Sequence, residues 1–113
     1  MQTNSLAVLA GQQLDIARQA GSGRSAHTVH GGHDAVLRQT LIALAGGHGL
    51  DEHESPGEAT LHVLQGHVRL ITGSEIVDGT TDDLLVIPDA RHALEAIEDS
   101  VVLLTVAKPH APS

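Results

Sequence analysis

The stretch EATLHVLQGHVRLIT, residues 58–72, alternates apolar and polar side chains on either side of a Gln65–Gly66 pair. A period of two marks half-buried strands, and a two-residue connection ending in glycine predicts a hairpin. Counting outward from that turn sets Leu64 opposite His67, Val63 opposite Val68 and His62 opposite Arg69. Ala59, Leu61, Val63, Val68, Leu70 and Thr72 then share one face, read as the interior. Glu58, Thr60, His62, Leu64, His67, Arg69 and Ile71 share the other. Leu64 and Ile71 make that outer face more apolar than water requires, so a dimer contact or a covering helix is expected over it.

Working outward, the runs LRQTLIALA (37–45), DLLVI (83–87), HALEAI (92–97) and VVLLTVA (101–107) are also strand-like, and clusters of Gly, Pro, Asp and Ser separate them. Pro88 ends one run because it has no amide hydrogen to give a ladder. In HALEAI, Glu95 belongs outside, which turns His92, Leu94 and Ala96 inward. Upstream, SLAVLAGQQLDIARQA (5–20) spaces Leu6, Leu9, Leu14 and Ala17 as one face of a helix, with Asn4 or Ser5 as its cap and GSG at 21–23 as its end. The fold class that follows is all-β: a small barrel over residues 25–113, preceded by an N-terminal helix and linker over 1–24 that packs on the barrel or on a neighbouring subunit.

Composition narrows the function classes. Six Lys plus Arg against fourteen Asp plus Glu give a net charge of −8, the wrong sign for a phosphate backbone, and nucleic acid is excluded as a partner. With no Phe, Tyr or Trp, there is no aromatic face on which a base or a sugar ring stacks. The absence of Cys removes disulfides, thiolate metal sites and a cysteine nucleophile together. No basic residue precedes the apolar stretch after Met1, and runs such as VVLL are far too short to span a bilayer. The sequence therefore predicts no membrane partner and a cytoplasmic location.

Two segments, GHGLDEHESPGEATLHVLQG (47–66) and DDLLVIPDARHALEA (82–96), resemble the two signature motifs of the cupins, in particular the small RmlC-like members. In the first, Gly47, His53 and Gly66 match the leading glycine, the first His and the closing glycine. Ser55 stands where the motif has its second His, and Ala59 where it has its Glu. In the second, Pro88 matches, Asp82 stands at a glycine position, and His92 lies one residue nearer the proline than the motif's His. The resemblance covers about residues 35–107. It implies a double-stranded β-helix, often dimeric, opening at one end on a small-molecule pocket, and of the usual three-His, one-Glu metal site it leaves only His53 and His92.

A catalytic transition-metal site generally needs about three protein ligands. Alternation turns Glu52, Glu54 and Glu58 away from the side His53 faces, so none of them completes the set. His48, in a glycine-rich turn near the presumed pocket mouth, is the remaining third-ligand candidate. His27, His30 and His33 share a spacing of three, but Gly31 and Gly32 break a helical clip and a strand turns His27 and His30 to opposite faces. The favoured expectation is a binding or sensing protein for a small molecule. Its pocket is built from His53, Ser55, Ala59, Leu61, Val63, His92 and Leu94, with degraded metal ligation and a homodimeric assembly. The alternative is a metal-dependent oxygenase or isomerase in which His53 and His92 ligate Fe, Mn, Zn or Ni, with His48 as an added ligand.

Overall fold

The computed structural model of the chain describes residues 1–55 and 57–107, so the last part of the expected barrel, 108–113, lies outside the described residues. One helix, α1 (Leu6–Gln19), is followed by nine strands: β1 (Arg24–His30), β2 (Leu37–Leu44), β3 (Gly49–His53), β4 (Glu58–Gln65), β5 (His67–Thr72), β6 (Glu75–Thr80), β7 (Leu84–Ile87), β8 (His92–Ala96) and β9 (Ser100–Ala107). They form two antiparallel sheets, ordered β1-β2-β9-β4-β7 and β3-β8-β5-β6. Ser5 caps α1, its Oγ accepting from the Val8 amide at 3.2 Å. The helix closes at Ala20, and Gly23, with φ 68°, turns the chain into β1.

Gln65–Gly66 is not a hairpin turn. β4 pairs with β7 and β9, while β5 pairs with β6 and β8, so the chain crosses from one sheet to the other at Gly66. His62 accordingly lies opposite Leu84 and Leu103, and Arg69 lies opposite Asp78 and Glu95. The inward set survives this change of partners except at its end: Ala59, Leu61, Val63, Val68 and Leu70 are buried, while Thr72 is half-buried. From Ala59 to Val63 and from Val68 to Leu70 the alternation holds on each strand, and both sheets turn apolar faces toward one interior.

That interior holds Ile42, Leu44, Leu61, Val63, Val68, Leu85, Ile87, Leu94, Val102 and Val106 among its buried side chains. A second core lies on the opposite side of the five-stranded sheet, where Ala10, Leu14 and Ala17 of α1 meet Leu41, Ala43, Val101 and Leu103. LIAL and VVLL are therefore unbroken apolar runs because β2 and β9 are buried on both faces, one under the helix and one in the barrel. Leu64 packs into the helix-covered core, which accounts for its apolar character on an outward position. Ile71 is on the other sheet, half-buried between Ala93 and Ile76. Among the described residues, no helix is long and apolar enough to cross a membrane.

Candidate functional site

β3 and β8 bring the two histidines together. Their register sets Leu50 opposite Leu94 and His53 opposite His92, with an extra residue on β3 between the two pairs. That bulge lets Leu50 and His53, three positions apart, face the same cavity, which strict alternation forbids. The ring centroids of His53 and His92 are 4.5 Å apart and the rings meet edge to face at 61°. His92 is 4% exposed, whereas His53 is exposed and stands at the cavity's outer end.

Both rings are oriented by backbone. Nδ1 of His53 lies 2.9 Å from the Asp51 carbonyl oxygen, and Nδ1 of His92 lies 3.0 Å from that of Ala90. A carbonyl only accepts, so each Nδ1 carries a hydrogen, and in the neutral ring each Nε2 carries a lone pair. Among the described residues, neither Nε2 has a hydrogen-bond partner within the chain, and no fully buried side-chain nitrogen or oxygen is left without one. The unpartnered His92 Nε2 therefore remains reachable from the cavity.

The cavity is about 40 Å³ and is lined by Ile42, Leu50, Leu61, Leu70, Ile87, Leu94 and Leu104 besides the two imidazoles. A water needs roughly 10–15 Å³ by this measure, so the space corresponds to about three waters. Apart from the two imidazoles, the side chains of its lining residues are aliphatic. Outside it, Arg91 donates to Glu52 at 2.8 Å and stands 3.8 Å from Glu54, so both carboxylates are paired with a guanidinium. The Glu52 hydrogen bond in turn raises the Arg91 guanidinium further above its ordinary value.

Of the seven residues assigned to the pocket from sequence, His53, Leu61, His92 and Leu94 line this cavity. Ala59 and Val63 are packed in the barrel core without lining it, because larger neighbours fill the space around them. Ser55 turns its hydroxyl to the Gly57 carbonyl at 2.8 Å, a local turn bond that takes it out of the lining. His48 is at the far end of β3 from His53, on a surface groove with Asp51 and Glu95, and its ring fills the space a side chain on Gly23 would need. It does not approach His53. His27 and His30 are exposed on β1, and His33 pairs with Asp34 at 3.5 Å. Ile42, Leu50, Leu70, Ile87 and Leu104 complete the lining; alternation turns Leu70 inward, but the bulge that brings in Leu50 leaves no mark on residue periodicity.

The cupin motifs imply a transition metal, and the donor set tests that implication. Two imidazole rings stand side by side, while the positions of the other two motif ligands hold Ser55, whose hydroxyl is turned to Gly57, and Ala59, which has no donor atom. Among the described residues, no three His, Cys, Asp or Glu side chains are grouped as a metal ion requires. The residues present do not fit a three-ligand centre.

No family model matches the sequence, and no curated protein matches it. Solved structures do. An RmlC-like cupin protein from Desulfovibrio desulfuricans is similar with a TM-score of 0.74 and 23% identity, over 95% of this chain and 96% of that one. A conserved protein of unknown function from Streptococcus pyogenes is similar with a TM-score of 0.73 and 24% identity, over 98% and 93%. A cupin superfamily protein from Desulfitobacterium hafniense gives 0.68 and 19%, over 75% and 77%. Two apposed antiparallel sheets, in the company of these structures, identify the architecture: this chain folds as a cupin barrel.

Proposed function

We propose that this cupin barrel binds a small molecule in the His53–His92 cavity and does so without a stoichiometric metal. The observation that carries the reading is the pair of unpartnered Nε2 lone pairs set in an otherwise aliphatic enclosure, with a third and fourth ligand position lacking free donors. Such an enclosure takes an apolar body and orients it through a few polar atoms. A cytoplasmic location belongs to the same reading and rests on composition.

The assembly proposed is a homodimer joined along β6 and β7. Among the described residues these strands are sheet edges, and they expose Ile76 (60%), Val77 (49%), Leu84 (62%) and Val86 (74%). The edges on the other side, β1 and β3, present His27, Thr28, His30, Asp51 and Glu52 instead. At a net charge of −8 two copies repel over most of their surface, which favours approach along an apolar strip where Glu75 is the acid lining the groove.

Elemental analysis of untagged protein from cells supplied with Fe, Mn, Zn and Ni tests the binding reading, with His53→Ala in parallel. Sub-stoichiometric metal in both proteins is the expected result. A near-equimolar metal lost in His53→Ala overturns it in favour of the metal-dependent oxygenase or isomerase, in which the two Nε2 atoms are ligands.

A further inference from the structure

We infer that the cavity selects a neutral, short aliphatic molecule whose head group carries two donor hydrogens on adjacent atoms, a vicinal diol being the simplest. The inference rests on the small-molecule reading above and adds the ligand's chemical class. In the neutral rings each imidazole hydrogen is already given to a backbone carbonyl, that of Asp51 or of Ala90, so the pair offers two acceptors and no imidazole donor. An acceptor-only ligand such as a ketone finds nothing to bond. A carboxylate meets two lone pairs and aliphatic walls, and its buried charge goes uncompensated. A single hydroxyl satisfies one Nε2 and leaves the other without the bond that water supplied.

Size and shape set the rest of the class. Space for about three waters excludes sugars and long chains. Ile42, Leu50, Leu61, Leu70, Ile87, Leu94 and Leu104 surround whatever lies beyond the head group, so the body is hydrocarbon. With the ring centroids 4.5 Å apart, the two imidazoles are close enough for one compact head group to touch both. Water itself carries two donor hydrogens, so a ligand must match it there and gain by burying methyl or methylene groups.

The test uses the full chain freed of metal with a chelator and compares 1,2-propanediol, hydroxyacetone, 1-butanol and glycolate, which have equal heavy-atom counts. Histidine ring signals are followed by NMR. The expected result is a saturable shift at His53 and His92 with 1,2-propanediol, at an affinity about tenfold above that of hydroxyacetone or 1-butanol, with no response to glycolate. The shift is lost in His53→Leu, a change at an exposed position that leaves the core intact, and His92→Leu repeats the measurement from the buried side. Equal affinity for hydroxyacetone or 1-butanol, or preference for glycolate, overturns the ligand class while the cavity stands as a binding site. A ring found protonated at Nε2 by long-range nitrogen correlation removes the premise. If no probe shifts either ring, the small-molecule reading itself fails with it.

Discussion

Ser100 Oγ accepts the His67 amide hydrogen at 3.0 Å, joining the first residue of β9 in one sheet to the first residue of β5 in the other. Ser100 is fully buried, and its own hydrogen is directed to the carbonyls of Glu98 at 2.8 Å and His67 at 3.1 Å. The hydroxyl thus closes the barrel at the corner where the chain changes sheets.

Ser100→Ala leaves the His67 amide without that acceptor, and the expected loss is about 1–2 kcal/mol in urea unfolding. Gly66→Ala acts at the same corner more severely. Its Cβ would fall 2.5 Å from the Asp99 carbonyl oxygen and 2.7 Å from Ser100 Cα, at a φ of 100° that side chains resist. Loss of the cooperative transition is expected for Gly66→Ala, and an unchanged midpoint for Ser100→Ala would contradict the stapling role.

Asp78 titrates far from its ordinary range. Arg69 holds the carboxylate with bonds of 2.8 and 3.3 Å, His67 adds one at 3.0 Å, and its pKa is lowered to about 2. Because the folded value lies below the unfolded one near 3.8, this stabilisation is complete above that pH and disappears as pH falls toward about 2. The cluster is solvent-exposed, so the gain is modest. Carboxyl-carbon NMR should place the Asp78 midpoint near 2, and Arg69→Gln should move it upward; a midpoint unmoved by that change would assign the shift elsewhere.

Asp82 is left-handed, with φ 70°, while its amide donates to the Val63 carbonyl at 2.7 Å. This is the position at which the cupin motif has glycine, and the backbone explains why. Asp82→Gly keeps the amide bond and relieves the conformation, losing only an exposed contact with His62 at 3.6 Å. A gain of about 0.5–1 kcal/mol is expected from thermal unfolding. Destabilisation of similar size would show that the side chain matters more than the turn.

Light scattering should report twice the chain mass for the native protein. Val86→Lys puts a charge on the β7 edge at a residue already 74% exposed, so the fold should hold while the mass halves. A monomer before substitution, or a dimer unaffected by it, rejects the β6–β7 interface.

Much of the barrel was legible because burial is written strand by strand. β2, β4, β5, β7, β8 and β9 all correspond to apolar runs in the sequence, and the inward set from Ala59 to Leu70 follows from alternation alone. β1 and β3 escaped because they are sheet edges rich in polar side chains, and β6 because its Ile76 and Val77 are both exposed, so that no apolar–polar alternation marks the strand. Pairing was the other failure. A Gln–Gly step serves a hairpin or a corner equally well, and only Ser100 and Asp99, distant in sequence, decide for the corner. At the site, His53 and His92 were visible through motif spacing, but their neighbour Leu50 was not. The bulge that turns Leu50 inward depends on how β3 meets β8, and a count along one strand carries no information about the other.

The N-terminal helix is cladding as much as an element of the fold. Stripped of residues ahead of β1, the barrel would present Leu41, Ala43, Val101 and Leu103 as a greasy stripe across its central strands. Such a shortened chain would clump through that stripe rather than persist as a smaller soluble cup.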